Sequence, residues 1–159
     1  MSGRRFAGLT LAFNLFWTLA VSLRDAATIP LLLLALLAWL CSPPARRLPL
    51  LLLAALGVAM DALWLRCGLF SFNSSATFPG WMLALWLAFA CWWPLFLQRY
   101  RLTWPWLMGL GALSGPFSYY LGERLGAMQL HQPGWQVFTL LAVGWALLLP
   151  ASRKLIPGT

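Results

Sequence analysis

Asp61 is the residue of this chain whose surroundings most clearly indicate chemistry. It lies inside an apolar run, Leu48 to Leu65, that is long enough to cross a bilayer. An ionisable side chain at membrane depth costs about 3 kcal/mol on insertion scales, so it marks a functional site by default. Gly57, one turn below, leaves space beside the carboxyl group, and Trp64, one turn above, is placed to cover it. We therefore predict that Asp61 belongs to a binding site.

Two interpretations of Asp61 stay open at this point. The residue lies four positions before the end of its run, which is a depth of about 6 Å at helical rise. At that depth it can form an ion pair with Arg24 or Arg66 near the membrane surface. Alternatively, it binds a cationic or hydroxylated group or carries a proton. The two interpretations are compatible, because a paired acid can still belong to a site.

Polar residues recur at four-residue spacing in the first apolar run. Thr10, Asn14, Thr18 and Ser22 form a slowly winding stripe on one side of a helix. Such groups usually hydrogen-bond to neighbouring helices inside a membrane bundle. The more specific, functional interpretation is that Asn14 and Thr18 line a cavity for a solute.

A second polar stretch, residues 114–119, surrounds a proline in the fifth apolar run. Pro116 cannot donate to the carbonyl group of Ala112, so we expect a bend there. Glycines spaced as Gly111/Gly115 and Gly122/Gly126 form a small face for close helix packing. The predicted ligand site consists of residues from three runs: Asn14, Thr18, Asp61, Trp64, Ser114, Ser118, Tyr119 and Glu123.

Signatures of enzymes and metal sites are missing from the sequence. His131 is the single histidine, and no zinc motif, phosphate-binding loop or nucleophile elbow is present. The three cysteines are too far apart in sequence for a metal motif. The sequence therefore predicts no catalytic residue, no metal and no cofactor, and it favours a non-enzymatic protein. Acid–base chemistry would require the fold to bring Asp61, Glu123, His131 and a serine together.

The composition identifies the solvent of this chain as the bilayer. Of the 159 residues, 62% are hydrophobic and 9% are charged, whereas soluble domains have about 25% charged residues. The net charge of +8 would suggest nucleic acid for a soluble chain. Here the basic residues form small clusters between apolar runs, so they indicate membrane topology. The expected partners are membrane lipids and a possible membrane protein, and no nucleic acid.

Six apolar runs divide the chain, and they predict an all-α, six-transmembrane-helix bundle as a single domain over 1–159. The predicted spans are about 6–23, 27–41, 48–65, 80–97, 104–126 and 135–155. A span needs about 20 residues, with a range of roughly 17 to 25. The second run is the shortest, so its helix either tilts little or stops short of one interface.

The charges of the loops predict an orientation. When the six spans alternate, eight basic residues fall on one side and three on the other, beside the three acids. The larger set is Arg4, Arg5, Arg46, Arg47, Arg99, Arg101, Arg153 and Lys154. Because Lys and Arg concentrate in cytoplasmic loops, we expect both termini in the cytoplasm of a bacterium, with the protein in its inner membrane. The acids then lie at or near the outer end.

The first run also resembles a signal peptide. Arg4 and Arg5 precede an apolar stretch that ends in the small residues 20–22. Cleavage there would leave five spans and an external N-terminus. Asn14 and Trp17 within the run favour a helix that is retained.

Short motifs in this order resemble those of one known family. They are residues 57–61 (GVAMD), 68–72 (GLFSF), 115–119 (GPFSY), 122–127 and 144–150 (GWALLLP). Together with the basic loops, they make nearly the whole chain similar to DUF2878, an uncharacterised family of small proteobacterial inner-membrane proteins. Relatives of that family are encoded near fatty-acid-modifying enzymes, so the resemblance implies a connection with lipids. It implies no functional residues, because none is established for the family.

Two weaker resemblances concern size and topology. The substrate-binding subunits of energy-coupling-factor vitamin transporters are small six-helix proteins with an outward-opening site. The rod-shape protein MreD is similar around its third helix and aspartate. We expect an outward-facing pocket that binds or handles a lipid or small amphipathic molecule. The alternatives are a solute-binding subunit of a membrane transporter, a lipid-modifying membrane enzyme, and a structural scaffold.

Overall fold

Six α-helices and a two-stranded ribbon form the computed structural model, which describes residues 2–131, 133–156 and 158. The helices are α1 (Gly3–Leu23), α2 (Thr28–Leu40), α3 (Pro44–Arg66), α4 (Gly80–Tyr100), α5 (Trp104–Arg124) and α6 (Gly134–Leu155). The strands are β1 (Phe70–Phe72) and β2 (Met128–Leu130). The chain is therefore mostly helical, as predicted, and each predicted span overlaps one helix.

Four segments of the described chain are long and apolar enough to cross a membrane. They are Gly3–Leu40, Pro44–Arg66, Gly80–Tyr100 and Gly134–Leu155. The first contains both α1 and α2, joined by a 3₁₀ turn at Arg24–Ala27. With 13 residues, α2 alone is about 20 Å long, shorter than a hydrocarbon core of about 30 Å. These segments indicate a multi-pass membrane protein. They do not by themselves support the predicted six crossings or the cytoplasmic position of the termini.

The ribbon joins two loops that are distant in sequence. Phe70 pairs with Leu130 and Phe72 with Met128, in antiparallel register. The loop between α3 and α4 is thereby fixed to the loop between α5 and α6. The sequence analysis missed this ribbon and predicted helices alone. We refer to this side of the molecule as the ribbon end.

The turn between α1 and α2 is fastened to the same ribbon end. The carboxylate of Asp25 accepts hydrogen bonds from the Ser74 hydroxyl at 2.7 Å and the Ser75 backbone N–H at 2.9 Å. The Arg24 guanidinium donates to the Gly126 carbonyl oxygen at 2.6 Å. Three connections between helices therefore meet at one end of the bundle.

The opposite side, which we call the basic end, contains the eight basic residues of the predicted cytoplasmic loops. Phe6 and Tyr100 make an edge-to-face contact there, with ring centroids 5.7 Å apart. The Lys154 ammonium lies 4.9 Å from the centroid of the Trp104 ring. The start of α1, the end of α4, the start of α5 and the end of α6 therefore share the basic end.

Helices α5 and α6 approach each other closely because of two glycines. A Cβ atom at Gly111 would lie 2.3 Å from the Trp145 carbonyl oxygen, and one at Gly115 would lie 2.2 Å from Trp145 Cγ. Both distances are far below van der Waals contact. The small face predicted from the Gly111/Gly115 spacing is thus the surface that receives α6.

Substitution of Gly111 by alanine tests this close approach. We expect Gly111→Ala to destabilise the protein by about 1–3 kcal/mol, because the added methyl group meets rigid backbone. Gly109→Ala, two residues earlier on α5, is the matched control, since nothing lies within 4 Å of its Cβ position. Thermal unfolding in detergent, followed by circular dichroism, measures both variants. Equal unfolding temperatures for the two variants would contradict this packing.

Candidate functional site

Asp61 lies at a point where three helices meet. Its side chain belongs to α3 and has no exposed surface. The indole N–H of Trp86, on α4, donates to Asp61 Oδ2 at 2.7 Å. The hydroxyl group of Tyr119, on α5, donates to Asp61 Oδ1. Each carboxylate oxygen therefore has one donor, and each donor comes from a different helix.

Two glycines make room for the rings around this carboxylate. A Cβ atom at Gly57 would lie 2.1 Å from the Trp86 ring, so only glycine lets that indole cross α3 and reach Asp61. Trp86 in turn stacks on Trp145, with centroids 5.3 Å apart and planes 18° apart. Trp145 itself fits against Gly115. The two stacked indoles are thus seated between a glycine of α3 and a glycine of α5.

The carboxylate of Asp61 is not held by the arginines considered in the sequence analysis. Arg24 donates to the Gly126 carbonyl oxygen at the ribbon end. Among the residues that the structure describes, the hydrogen bonds of Asp61 come from Trp86 and Tyr119, which are both neutral. The interpretation of Asp61 as one partner of an ion pair with Arg24 or Arg66 is therefore wrong.

A cavity of about 480 Å³ lies beside this cluster, between α1, α4, α5 and α6. Its size falls within the range of small-molecule sites, roughly 300–1,000 Å³. Ten aromatic side chains border it: Phe13, Trp17, Trp86, Phe89, Trp92, Trp93, Phe96, Phe117, Tyr119 and Trp145. The cavity is thus an aromatic chamber with Asp61 as the one charged residue among those that border it.

The cavity opens on the side of the bundle. Asn14 and Thr18 of α1 and Ser114 and Phe117 of α5 border the cavity and are also exposed on the protein surface. The gap between α1 and α5 is therefore the opening. At the ribbon end the cavity is bordered by Met128, which is only 3% exposed. The predicted outward-facing opening is thus corrected to a lateral one, because the ribbon covers that end.

Six of the eight predicted site residues border this one cavity. They are Asn14, Thr18, Asp61, Ser114, Ser118 and Tyr119. Trp64 does not, because it packs edge-on against the Tyr119 ring at 5.9 Å. Glu123 does not either, because its Oε1 accepts the backbone N–H of Leu130 at 2.7 Å and so fastens β2 to α5.

Several residues of the cavity were missed by the sequence analysis, above all Trp86 and Trp145. Neither tryptophan was among the predicted site residues. The available signal was Gly57, which indicated that a bulky group would approach Asp61. It did not identify that group, because sequence gives no rotation of one helix relative to another.

Three polar side chains that border the cavity donate to carbonyl oxygens of their own helices. The Asn14 amide donates to the Thr10 carbonyl oxygen at 2.8 Å, and the Thr18 hydroxyl donates to the Asn14 carbonyl oxygen at 2.9 Å. The Ser118 hydroxyl donates to the Gly115 carbonyl oxygen at 2.7 Å. The side-chain oxygen atoms that remain are acceptors.

The residues considered for acid–base catalysis, which include Asp61 and His131, do not lie together in the structure. His131 Nδ1 lies 2.7 Å from the Gly68 carbonyl oxygen, which requires an N–H there, so Nε2 accepts the Ser71 hydroxyl at 3.2 Å. His131 is exposed at the ribbon end, whereas Asp61 is buried among the helices. Across the described residues, no group of three or more His, Cys, Asp and Glu side chains is placed to hold a metal ion.

Removal of one hydroxyl group tests the arrangement around Asp61. We expect Tyr119→Phe to destabilise the protein by about 1.5–3 kcal/mol, because it removes a hydrogen bond to a buried charged group. Tyr120→Phe is the control, since that neighbouring side chain is 42% exposed. Thermal unfolding in detergent compares the two variants. If Tyr119→Phe unfolds at the temperature of the Tyr120→Phe variant, Tyr119 does not stabilise the carboxylate.

Comparison with known proteins assigns the chain to a family without assigning an activity. The family model described as a protein of unknown function (DUF2878) matches residues 8–151. No curated protein and no solved structure matches the chain. The resemblance found from the short motifs is thereby confirmed.

Proposed function

The chain belongs to the DUF2878 family, and we propose that it is a non-enzymatic protein of the bacterial inner membrane that binds or handles a lipid or small amphipathic molecule. The observation that carries this proposal is the aromatic cavity with its opening between α1 and α5. The floor of the cavity is formed by Trp86 and Tyr119, with the buried Asp61 carboxylate behind them, and its walls are mainly apolar. An amphipathic molecule matches both parts.

The position of the opening favours a ligand that arrives from the bilayer. The outer surfaces of the two helices beside it are strongly apolar: Leu11 and Leu15 on α1 are 62% and 57% exposed, and Leu113 on α5 is 76% exposed. Exposed leucines at such density suit contact with lipid chains. A molecule dissolved in the bilayer therefore meets the opening without crossing water.

The floor of the cavity suits the polar part of such a molecule. Trp86 and Tyr119 present ring edges and faces there, held in place by the Asp61 carboxylate. Ligand sites of this kind combine an apolar lining with a few convergent polar groups that fix orientation. The apolar part of the ligand then occupies the space between Phe89, Trp93 and Phe96, which border the cavity further towards the basic end.

The proposal includes six membrane crossings, with both termini in the cytoplasm. The basic end holds eight Lys and Arg, and the ribbon end holds Arg24, Arg66 and Arg124. This asymmetry supports a cytoplasmic basic end. The ribbon end, with the pairing of β1 and β2, then faces the periplasm.

A substitution that fills the cavity tests the binding function. Ser114 borders the cavity, so we expect Ser114→Phe to prevent retention of a co-purified lipid or amphiphile that the wild type carries. Leu113→Phe is the control, because that adjacent side chain is 76% exposed and does not border the cavity. Native mass spectrometry of gently purified protein identifies the bound molecule. Equal retention by both variants, or a wild type without ligand, would argue against the proposal.

Two native cysteines test the proposed topology. Cys41, after α2, and Cys67, after α3, are both exposed and lie on opposite sides of the proposed membrane. With Cys91 replaced by serine, we expect a membrane-impermeant maleimide to label Cys67 in intact spheroplasts. Cys41 should react only after permeabilisation, and both should react in detergent. Labelling of Cys41 in intact spheroplasts would show that the proposed orientation is wrong.

A further inference from the structure

The cavity presents electron-rich groups and has few hydrogen-bond donors left. Five indoles border it, and three of them donate elsewhere: Trp86 to Asp61, Trp92 to Thr10 Oγ1 at 3.1 Å, and Trp93 to Ser152 Oγ at 2.7 Å. The amide and hydroxyl donors of α1 and α5 described above bond to carbonyl oxygens of their own helices. The Trp145 indole N–H is buried without a hydrogen-bond partner among the described residues and remains a donor. The rest of the lining offers a ligand mainly ring faces and oxygen lone pairs.

The charged residues near the cavity also disfavour an anionic ligand. Asp61 is the one residue of the Asp, Glu, Lys, Arg and His types among those that border it, so the only formal charge that these types can place there is negative. The lining includes no Lys or Arg, and the basic residues lie at the helix ends. A phosphate or carboxylate group placed in this chamber would therefore lack a cation and meet the field of Asp61 in a medium of low dielectric constant.

We propose that the cavity selects amphiphiles whose head is an ammonium group. This inference rests on the proposed function and specifies its ligand. An ammonium group is attracted to the faces of Trp, Tyr and Phe rings, and clusters of such rings are a recurrent means of binding it. The oxygens of Asn14, Thr18 and Ser118 add acceptors at the opening, where a primary ammonium can donate to them.

Asp61 acts on the ligand through its neighbours. Its side chain has no exposed surface, so the head group meets Trp86 and Tyr119 first. The hydrogen bond from the Trp86 indole to a carboxylate increases the electron density of that ring, and the negative charge itself attracts a cation. Asp61 is therefore a positioning and electrostatic residue, not a direct contact.

Three amphiphiles with the same chain test the head-group selection. We would add dodecyltrimethylammonium, dodecanol or dodecanoate to the purified protein in maltoside detergent and count bound molecules by native mass spectrometry. We expect the ammonium compound to bind at least tenfold more tightly than the other two. Non-specific attraction would give the reverse order, because the net charge of the protein is +8.

Matched variants separate the field of Asp61 from its role in folding. Asp61→Asn should abolish most of the ammonium preference, whereas Asp25→Asn, at the exposed turn of the ribbon end, should keep it. If Asp61→Asn fails to fold, Phe89→Leu removes a ring that borders the cavity and changes no polar contact. Phe138→Leu, on the surface of α6, is its control. The Phe89 variant should lose affinity for the ammonium compound and the Phe138 variant should not.

The outcomes distinguish this inference from the function on which it rests. Equal binding of the ammonium compound and dodecanol, both lost in Ser114→Phe, would overturn the head-group selection and retain the amphiphile site. Preferential binding of dodecanoate would overturn the selection as well. Absence of cavity binding for all three compounds would overturn both the selection and the proposed function.

Discussion

The hydrogen bonding of one buried carboxylate determines how the centre of this bundle is arranged. Asp61 has no exposed surface, and an ionised group in such surroundings requires compensating donors. Those donors are Trp86 and Tyr119, so α4 and α5 must approach α3 at one level and in one rotation. Helix packing in a membrane lacks a hydrophobic driving force between helices. A polar contact shared by three helices therefore has a large share in specifying this arrangement.

The cavity follows from the same contact. Because Trp86 is turned towards Asp61 and stacks on Trp145, these two rings form a wall and do not fill the space between α1 and α5. The glycines at 57 and 115 permit this position, since a Cβ atom at either would collide with an indole. Helix α1 contacts α4 further towards the basic end, where Thr10 accepts a hydrogen bond from Trp92. The opening is what remains between α1 and α5.

The sequence predicted the helices and much of the polar lining of the cavity, and both predictions rest on the constraints that a bilayer places on a chain. A bilayer requires long apolar runs, and polar residues within them are rare enough to identify Asp61, Asn14 and Tyr119 as candidates. The partners of Asp61 could not be predicted, because they lie 25 and 58 residues away. In soluble helices an apolar stripe shows which face is buried. Here the lipid-facing and buried faces are both apolar. The sequence therefore does not indicate how each helix is rotated about its own axis.

The ribbon and the side opening escaped prediction for a related reason. β1 and β2 have three residues each, too few for a period-two pattern, and their pairing depends on where α3 and α5 end. The ribbon places Met128 over the end of the cavity that the sequence suggested was open.

The structure of the protein in lipid nanodiscs, determined by electron cryomicroscopy with a bound antibody fragment, tests the central claim most directly. The account predicts elongated density between α1 and α5 that reaches the rings of Trp86 and Tyr119, with the Asp61 contacts intact. A bundle in which α1 closes against α5 and no space remains beside Trp86 would contradict it.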